Sequence, residues 1–358
     1  MAKKGQTLGT KCPACGASID FDPKASKWKC KYCYSEFTLE EMEKVTSGSA
    51  SKENNKDEKV TKEDVDYYTY NCQSCGAEII ADNETAATFC VYCGNTTILR
   101  NKLEGDFKPH YIIPFKTEKK EAEDAFKSLS KGRMFVPKDF TKQENIEKIR
   151  GIYIPFWLYD MNIAGYMDGN ATKIRTWIVG NMEYTETKTY HVTRAANMDF
   201  IKIPIDGSTR FDNDIMDTIQ PYNYKDLVKY NHAYLSGFYA ERYDQGSEEL
   251  SKIPQDRATE TVETDMLNSI KGYTSKNIKQ KNFIPKITNC EYALLPVWMV
   301  NVKYKGKQYL FAMNGQTKEF IGDIPIDKKK VIIVSILCLI VIAAIVLGIS
   351  YLIFNVTK

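Results

Sequence analysis

The pattern of apolar positions divides this chain into a long mixed part and one uninterrupted apolar run. Residues 331–354 form a stretch of 24 residues without a charge, and no apolar run of comparable length precedes it. As a helix rising ~1.5 Å per residue, the stretch would reach ~36 Å, enough to cross a hydrocarbon core of ~30 Å. The pattern predicts one transmembrane helix over 331–354. A buried core helix fits less well, because such helices are seldom apolar on every face.

Upstream, the patterns predict both strands and helices. Aromatic and alternating segments predict strands at 152–169, 173–179, 183–194, 292–304 and 308–313. Helix signals predict a helix capped by Thr117 and running to about Leu129, a second one after the Thr141/Glu144 capping box, and helical pieces at 226–230 and 233–243.

A repeated motif links two of these strands. Pro155-x-Trp157 opens one predicted hairpin and Pro296-x-Trp298 opens another, which ends in the turn dipeptide Asn314-Gly315. We therefore expect residues 105–326 to form one α+β domain. In it, two related hairpins join a mixed or antiparallel sheet, and helices cover a face.

Eight of the ten cysteines form two sets with identical C-x2-C-x14-C-x2-C spacing, displaced by 60 residues at every position. The sets are Cys12, Cys15, Cys30 and Cys33, and Cys72, Cys75, Cys90 and Cys93. Four thiolates on two short hairpins suit a tetrahedral Zn2+ and leave no position for water, so each site is expected to be structural. The alternatives are a redox dithiol or an iron–sulfur site, but the βαβ pattern typical of a thioredoxin-like motif is absent.

The two sets predict two zinc ribbons separated by a linker. Ribbon 1 is expected over 11–45, a flexible charged linker over 46–66 and ribbon 2 over 67–104, so that the ribbons could move relative to each other. Gly16 follows the first ligand pair, where the backbone needs a conformation that a Cβ disfavours. Tyr34 departs from this pattern after the second pair.

Charge argues against nucleic acid as the ligand. The net charge is +3, and only eight of the 49 basic residues are arginines. Ribbon 1 has six basic and six acidic residues, and residues 70–100 have one basic and three acidic residues. Because phosphate binding needs a cationic face, we expect protein contacts instead.

The sequence contains no recognisable catalytic arrangement. His110, His191 and His232 lack partners at a defined spacing, and no G-x4-G-K-[ST] motif occurs. The acidic cluster Asp206, Asp212, Asp214 and Asp217 lacks the spacing of an EF-hand, so turn and cap roles are expected for it. Enzymatic activity is therefore not expected, although an unrecognised pocket in 105–326 remains an alternative.

The flanks of the apolar run predict an orientation. Three lysines, Lys328, Lys329 and Lys330, precede it, and four residues follow it. By the positive-inside rule, the long N-terminal part should lie in the cytoplasm, anchored to the cell membrane by a single pass. The N-terminus has no apolar segment typical of a secretory signal.

Several motifs together resemble a known family. These are the two four-cysteine sets, PFWLYD at 155–160, HAYLSGFYAERYD at 232–244 and LLPVWMVNVKYKGKQYLFAMNGQT at 294–317, followed by the single apolar run. They are similar to bacterial, mainly Gram-positive, TFIIB-type zinc-ribbon membrane proteins, often titled replication-restart (primosomal) helicase although the helicase motifs are missing here. Lys318 departs from the family pattern, where a second glycine is expected in the turn.

The resemblance implies a context for the function. It places such proteins beside homologues of phage-shock protein A and flotillin-like SPFH proteins, which manage membrane stress. The expected function is a non-enzymatic, tail-anchored zinc-ribbon adaptor or scaffold that holds proteins at the cytoplasmic membrane face and carries two structural Zn2+ ions. The alternative is a membrane-tethered nucleic-acid-binding or regulatory protein.

Overall fold

The structure of the protein is a computed structural model, which describes most of the chain. The described residues are 3–5, 7–8, 10–49, 67–72, 78–82, 85–90, 96–99, 107–129, 131, 133, 135–137, 140, 146 and 148–356. Among the predicted features, the Thr141/Glu144 capping box, Cys75, Cys93 and most of the linker lie outside them.

Strands dominate the described part of the chain. The N-terminal strands are β1 Lys3–Gly5, β2 Thr7–Leu8, β3 Ile19–Asp22, β4 Lys27–Cys30, β5 Glu36–Phe37, β6 Tyr67–Asn71, β7 Glu78–Asp82, β8 Thr85–Phe89 and β9 Thr96–Leu99. The later strands are β10 Tyr111–Ile112, β11 Arg150–Val179, β12 Met182–Asp206, β13 Val228–Lys229, β14 Tyr239–Glu241, β15 Ser275–Tyr304, β16 Lys307–Asn314 and β17 Phe320–Ile321.

The helices lie between or after these strands. They are α1 Leu39–Ser49, α2 Lys119–Ser128, α3 Asn213–Thr218, α4 Ser247–Leu250, α5 Lys252–Ser269 and α6 Lys328–Val356. Two 3-10 turns occupy Tyr224–Asp226 and His232–Leu235.

A mixed eleven-stranded sheet forms the body, with the order β13-β10-β15-β11-β14-β8-β9-β2 and with β12, β16 and β17 joined to it. β3, β4 and β5 form one three-stranded sheet, and β1, β6 and β7 form another. The predicted mixed sheet with helices is confirmed. The sequence did not indicate that N-terminal residues 3–8 pair with strands from 67–71 and 96–99.

The two predicted hairpins meet at the centre of the body. β11 pairs antiparallel with β15 from Arg150↔Met299 to Thr172↔Ser275, and each strand also forms its own hairpin, with β12 and β16. In this register Tyr153 faces Pro296. The repeated Pro-x-Trp motifs therefore lie next to each other, as two related hairpins require.

Both motif tryptophans fix a neighbouring loop. Trp157 Nε1 donates to the Gln245 carbonyl at 2.9 Å, and Trp298 Nε1 donates to Thr117 Oγ1 at 2.7 Å. Buried indole N–H groups need such partners. Thr117 was expected to cap α2, but its hydroxyl is used inside the core, and Glu118 is the cap residue instead, with Glu121 accepting from its N–H.

The helices predicted at 226–230 and 233–243 are wrong. This part of the chain contains β13, β14 and the two 3-10 turns. Gly237 adopts φ 90°, which no helix continues, and its neighbours pair with strands far away in the sequence. The tertiary pairing overrides a helical composition here.

The long strands also exceed their predicted bounds, because polar segments such as residues 170–172 are held by pairing on both sides. The turns agree better with expectation. Lys305 and Gly306 have φ values of 49° and 79°, the two positive angles of a tight hairpin turn. Lys318, which stands where a glycine is expected, has φ 69°, the left-handed conformation that glycine favours.

Helix α6 contains the apolar run. Within its segment Lys328–Ser350, a window of 18 residues has a mean hydropathy of 3.4, and none of that window is buried. By length and composition this helix is able to cross a membrane. The helix start is tied to the body, because Asp327 N donates to the Phe135 carbonyl at 2.9 Å and Lys330 Nζ donates to the Val136 carbonyl at 3.0 Å.

The buried Thr117 hydroxyl gives a test of this core. Thr117→Val keeps the shape but removes the acceptor for Trp298 Nε1 and the donor to the Gly315 carbonyl, which lies 2.9 Å away. The Gly315 carbonyl still accepts from Lys116 N at 3.1 Å, so only the indole N–H is left without a partner. Because a buried group left in this way costs ~1–3 kcal/mol, we expect a loss of about 1–3 kcal/mol in the free energy of unfolding, measured by denaturant titration in detergent. Thr176→Val on the exposed hairpin is the control, and equal stability of the two variants would contradict this assignment.

Candidate metal centre and its docking surface

The first cysteine set forms a compact four-sulfur cluster. The Sγ atoms of Cys12, Cys15, Cys30 and Cys33 all lie within 4.8 Å of one another. Cys12 Sγ is 3.5 Å from Cys33 Sγ, and Cys15 Sγ is 3.6 Å from Cys30 Sγ. Four ligands at ~2.3 Å from a tetrahedral ion would be separated by about 3.8 Å, so this donor set fits Zn2+. The cluster could therefore hold a metal ion.

Two tight turns bring the sulfurs together. Gly16 N donates to the Cys12 carbonyl at 2.9 Å, with Gly16 at φ 72°. In the second turn, Tyr34 N donates to the Cys30 carbonyl at 3.0 Å, with Tyr34 at φ 60°. Tyr34 thus adopts the backbone conformation of the glycine that the pattern leads one to expect, at a cost of ~1–2 kcal/mol for a residue with a Cβ.

The electrostatics of the cluster favour a cation at its centre. The Ser35 hydroxyl, 3.3 Å from Cys33 Sγ, lowers the pKa of Cys33 to about 6. A backbone hydrogen bond with Ala17 lowers the pKa of Cys15, but desolvation and the neighbouring cysteine sulfurs outweigh it and raise that pKa to about 12. Four sulfurs this close oppose one another's ionisation, and a divalent ion among them removes that opposition.

The second cysteine set is described only in part. Cys72 and Cys90 are buried and share a small core with Tyr70, Ala81 and Leu99. Thr97 Oγ1 lies 3.9 Å from Cys72 Sγ. Cys75 and Cys93 lie outside the described residues.

The sheet that carries the first cluster is packed against the body through Trp28. This side chain, two residues before Cys30, is fully buried, and its Nε1 donates to the Ala233 carbonyl at 2.9 Å. Its ring lies 5.2 Å from that of Tyr234 and 5.0 Å from that of Phe21. Phe21 N also donates to the Ser236 carbonyl. An aromatic core thus joins the sheet of the first cysteine set to residues 233–238. The predicted motion of the two ribbons relative to each other stays a prediction.

Helix α1 reinforces the contact and was missed by the sequence reasoning. Thr38 and Glu41 form a capping box at its start, with Thr38 N donating to Glu41 Oε2 at 2.8 Å. Buried Met42 and the bond from Asn231 Nδ2 to Glu43 Oε1, 2.8 Å long, connect α1 to the body. The T-x-x-E pattern at 38–41, a capping-box signature, could have predicted this helix from the sequence. The helix reaches Ser49, so the first four residues of the expected linker are helical.

A cleft of about 610 Å3 lies beside this contact. It is bounded by β3 and β4, α2, and the ends of β11 and β14. Its charged lining is mixed, with Asp20, Asp22 and Glu118 against Lys29, Lys31, Lys119 and Arg150. Among the described residues, the lining contains no histidine, serine or cysteine.

A second group of titratable residues lies at the end of β12, where the sequence pattern predicts only turn and cap roles for Asp206. Asp206 is buried: its Oδ1 accepts from Ser208 N at 3.1 Å, and its Oδ2 has no hydrogen-bond partner in the described part of the chain. Burial, and then the nearby Asp244 and Glu241, raise the pKa of Asp206 to about 8. None of these residues lines the cleft. Of the other acidic residues in the predicted cluster, Asp212 caps α3 as expected, whereas Asp214 and Asp217 lie inside α3, and Asp217 pairs with Arg257.

The histidines take structural positions. His110 Nδ1 accepts from Tyr292 N at 3.0 Å, and His191 Nε2 lies 2.7 Å from Asp168 Oδ2 on the exposed hairpin. His232 begins a 3-10 turn, and burial lowers its pKa. Cys290 packs against the core, where burial raises its pKa to about 11.

Asp206 predicts a pH dependence of stability. Because its folded pKa of about 8 exceeds the ordinary value of 3.8, its stabilising contribution is complete below pH ~4 and is lost as the pH rises through 8. Asp206→Asn removes this titration while keeping the acceptor for Ser208. We expect the variant to lose less stability than the wild type between pH 5 and 8, by up to ~1.4 kcal/mol per pH unit, measured by denaturant titration in detergent.

Asp256→Asn, an exposed change on α5, is the matched control and should follow the wild-type pH profile. Parallel profiles for Asp206→Asn and the wild type would contradict the buried, protonated state of Asp206.

Comparison with known proteins gives one informative match. No family model matches the chain, and no solved structure matches it. The uncharacterized protein YdjG of Bacillus subtilis (strain 168) is 35% identical over 324 residues, which are 90% of this chain and 92% of that protein. With this identity across nearly the full length of both proteins, the chain belongs to the same family as YdjG.

Proposed function

We propose that the protein is a non-enzymatic adaptor, anchored in the cell membrane by α6, that recruits or holds proteins at the cytoplasmic face. One observation carries the proposal: hydrogen bonds and packing join both the four-sulfur cluster and the start of the apolar helix to the β-sheet body. Trp28 fixes the cluster to the body, and six residues separate β17 from the start of α6. A rigid connection of this kind suits a protein that presents a binding surface at a fixed height above a membrane.

The metal in this proposal is Zn2+, bound once by each cysteine set. At the first site, the sulfur separations of 3.5 and 3.6 Å support a tetrahedral ion. At the second, the matching spacing and the burial of Cys72 and Cys90 support an equivalent ion, with Cys75 and Cys93 as the other ligands. A shell of four thiolates excludes water, so both ions would stabilise the fold and do no hydrolysis. The two sites would thus define two zinc ribbons.

The membrane topology follows from the flanks of α6. The 24 uncharged residues are long enough to span the bilayer, and Lys328, Lys329 and Lys330 favour a cytoplasmic location for the body. The resemblance to TFIIB-type zinc-ribbon membrane proteins suggests phage-shock protein A-like and flotillin-like SPFH proteins as partners in a membrane-stress assembly. Nucleic acid is not proposed as the ligand, because the mixed charges of ribbon 1 and of the cleft present no cationic face.

Affinity purification from detergent extracts tests the adaptor. We compare the full-length chain with a variant in which Cys12, Cys15, Cys30 and Cys33 are serine, and with one in which both sets are serine. Zinc content should fall from two ions per chain to one and then to none, and the partner proteins should be lost with it, because the metal folds the ribbons.

Cys290→Ser, which lies outside both sets, should keep two ions and all partners. Recovery of the same partners after replacement of both sets would show that the ribbons do not recruit them. A gel shift with duplex DNA that weakens steeply with salt would instead favour the nucleic-acid alternative.

A further inference from the structure

The β11–β12 hairpin continues beyond the part of the sheet that a helix covers. β15 pairs with β11 only as far as Thr172. Beyond that point, β11 and β12 extend as a pair to the turn at Gly180. We name residues 173–188 the arm tip. From Thr172 to Val179 the arm tip is ~24 Å long at ~3.4 Å per residue.

One face of the arm tip continues the face on which α5 packs. Under α5, the odd-numbered residues of β11 are buried, including Met161, Ile163 and Met167, and they contact Val262 and Met266 of the helix. The register from 161 to 179 has no further shift, so Lys173, Arg175, Trp177 and Val179 point to the same side. Their partners on β12 are Lys188, Glu186, Tyr184 and Met182.

This face exposes large apolar side chains at its end. Trp177 and Tyr184 stack with their ring centroids 5.8 Å apart, and they remain 41% and 42% exposed. Val179 and Met182 are 59% and 63% exposed. Aromatic and methionine side chains grouped in this way are typical of the centres of protein interfaces.

The same face has an excess of positive charge. It carries three cations, Lys173, Arg175 and Lys188, and one anion, Glu186. Lys188 pairs with Glu186 at 3.1 Å, so the face keeps a net charge of +2, from three cations and one anion, and Lys173 lies directly opposite the like-charged Lys188. A ligand for this face should therefore combine apolar groups with negative charge.

Helix α5 shows what such a ligand looks like. It buries Pro254, Ala258, Val262 and Met266, spaced by four residues, against the sheet. Its charged residues are Asp256, Glu260, Glu263 and Asp265 against Lys252 and Arg257, so it is acidic. Glu263 pairs with Lys281 of β15 at 2.7 Å. At its C-terminus, Arg194 Nε donates to Ser269 Oγ and Lys276 Nζ donates to the Leu267 carbonyl.

We propose that the arm tip binds an acidic amphipathic helix of a partner protein, lying in line with α5 on the same face of the sheet. This proposal rests on the adaptor function and names the surface that one partner would use. The uncovered length of ~24 Å seats a helix of about 16 residues at ~1.5 Å per residue. Trp177 and Tyr184 contact its apolar side, and Lys173 and Lys188 contact its carboxylates.

Two other occupants fit less well. A second copy of the chain would place this cationic face against itself. A lipid surface would have to reach the arm tip far from the membrane helix. β17 pairs beside Met299, whereas the arm tip extends past Ser275 at the other end of β15, about 100 Å away along the strands.

Photocrosslinking in the full-length, membrane-anchored protein in its native cells tests the proposal. p-Benzoylphenylalanine replaces Tyr184 on the proposed face, or Thr185 on the opposite face of the same hairpin as the matched control. We expect about tenfold more protein adduct from position 184 than from 185. Mass spectrometry of the adduct should identify a segment with apolar residues every three or four positions and an excess of Asp and Glu.

Charge reversal on the proposed face gives a second, independent test. Lys173→Glu with Lys188→Glu should reduce the yield at position 184 about tenfold, whereas Thr187→Glu on the opposite face should leave it unchanged. All of these residues lie beyond the buried core, so circular dichroism should report unaltered folding.

The proposal is overturned by an adduct with a second copy of this chain, by an adduct with lipid, or by equal yields at 184 and 185. Purification separates this failure from that of the adaptor function. If the charge-reversed protein retains every partner of the wild type, the arm site is wrong and the adaptor stands. If the wild type captures no membrane-associated protein, the adaptor itself is wrong.

Discussion

The antiparallel pairing of β11 with β15 is the constraint on which the rest of the structure depends. It runs from Arg150↔Met299 to Thr172↔Ser275 and contains the pairs that bring the two Pro-x-Trp motifs together. Each strand carries its own hairpin partner outward, β12 from β11 and β16 from β15. Because the two strands are antiparallel, the hairpin of β11 extends at one end, and the chain continues to the apolar helix α6 at the other. The separation of the arm tip from the apolar helix is thus a consequence of a single register.

The two cysteine-containing regions are attached to the β11–β15 pair in different ways, one by strand pairing and the other by side-chain packing. Strand β14 joins β11 to β8, so the second cysteine region continues the main sheet through Ala240↔Ala87. The first cysteine set is attached differently, through the aromatic contact of Trp28 with Tyr234 and the indole bond to Ala233. Small metal-bound sheets have little core of their own, and burying Trp28 extends that core into the body. A metal bound by the first cysteine set would therefore be physically coupled to the packing of the body.

The features that sequence predicted well depend on local chemistry. Cys12, Cys15, Cys30 and Cys33 could be named because ligand spacing fixes a tetrahedral cluster, and Gly16 because its turn needs a positive φ. The β15–β16 hairpin followed from Lys305-Gly306 and from strand composition. Helix α2 followed from the spacing of Ala122 and Phe126, which are both buried.

The features that sequence missed depend on distant partners. The segment 226–243 has helical composition, but β10 and β8 provide pairing edges for it that no local pattern reveals. Thr117 resembled a helix cap in the sequence, but its hydroxyl bonds with Trp298 and Gly315, which lie more than 180 residues away. Asp206 looked like a turn residue because its burial comes from the packing of its loop against residues 241–245. Ligand spacing and turn geometry are encoded locally, whereas strand edges and buried polar groups are not.

The central claim is that the sheet of β3, β4 and β5, which we propose binds a metal through the first cysteine set, is part of the body, and hydrogen exchange tests it most directly. Deuterium uptake of the full-length protein in detergent is followed by mass spectrometry before and after removal of the metal by a chelator. The account predicts faster exchange at residues 231–238, which pack against Trp28 and α1, and unchanged exchange in the paired part of β11. Unchanged exchange at 231–238 after complete loss of metal from the first cysteine set would contradict it.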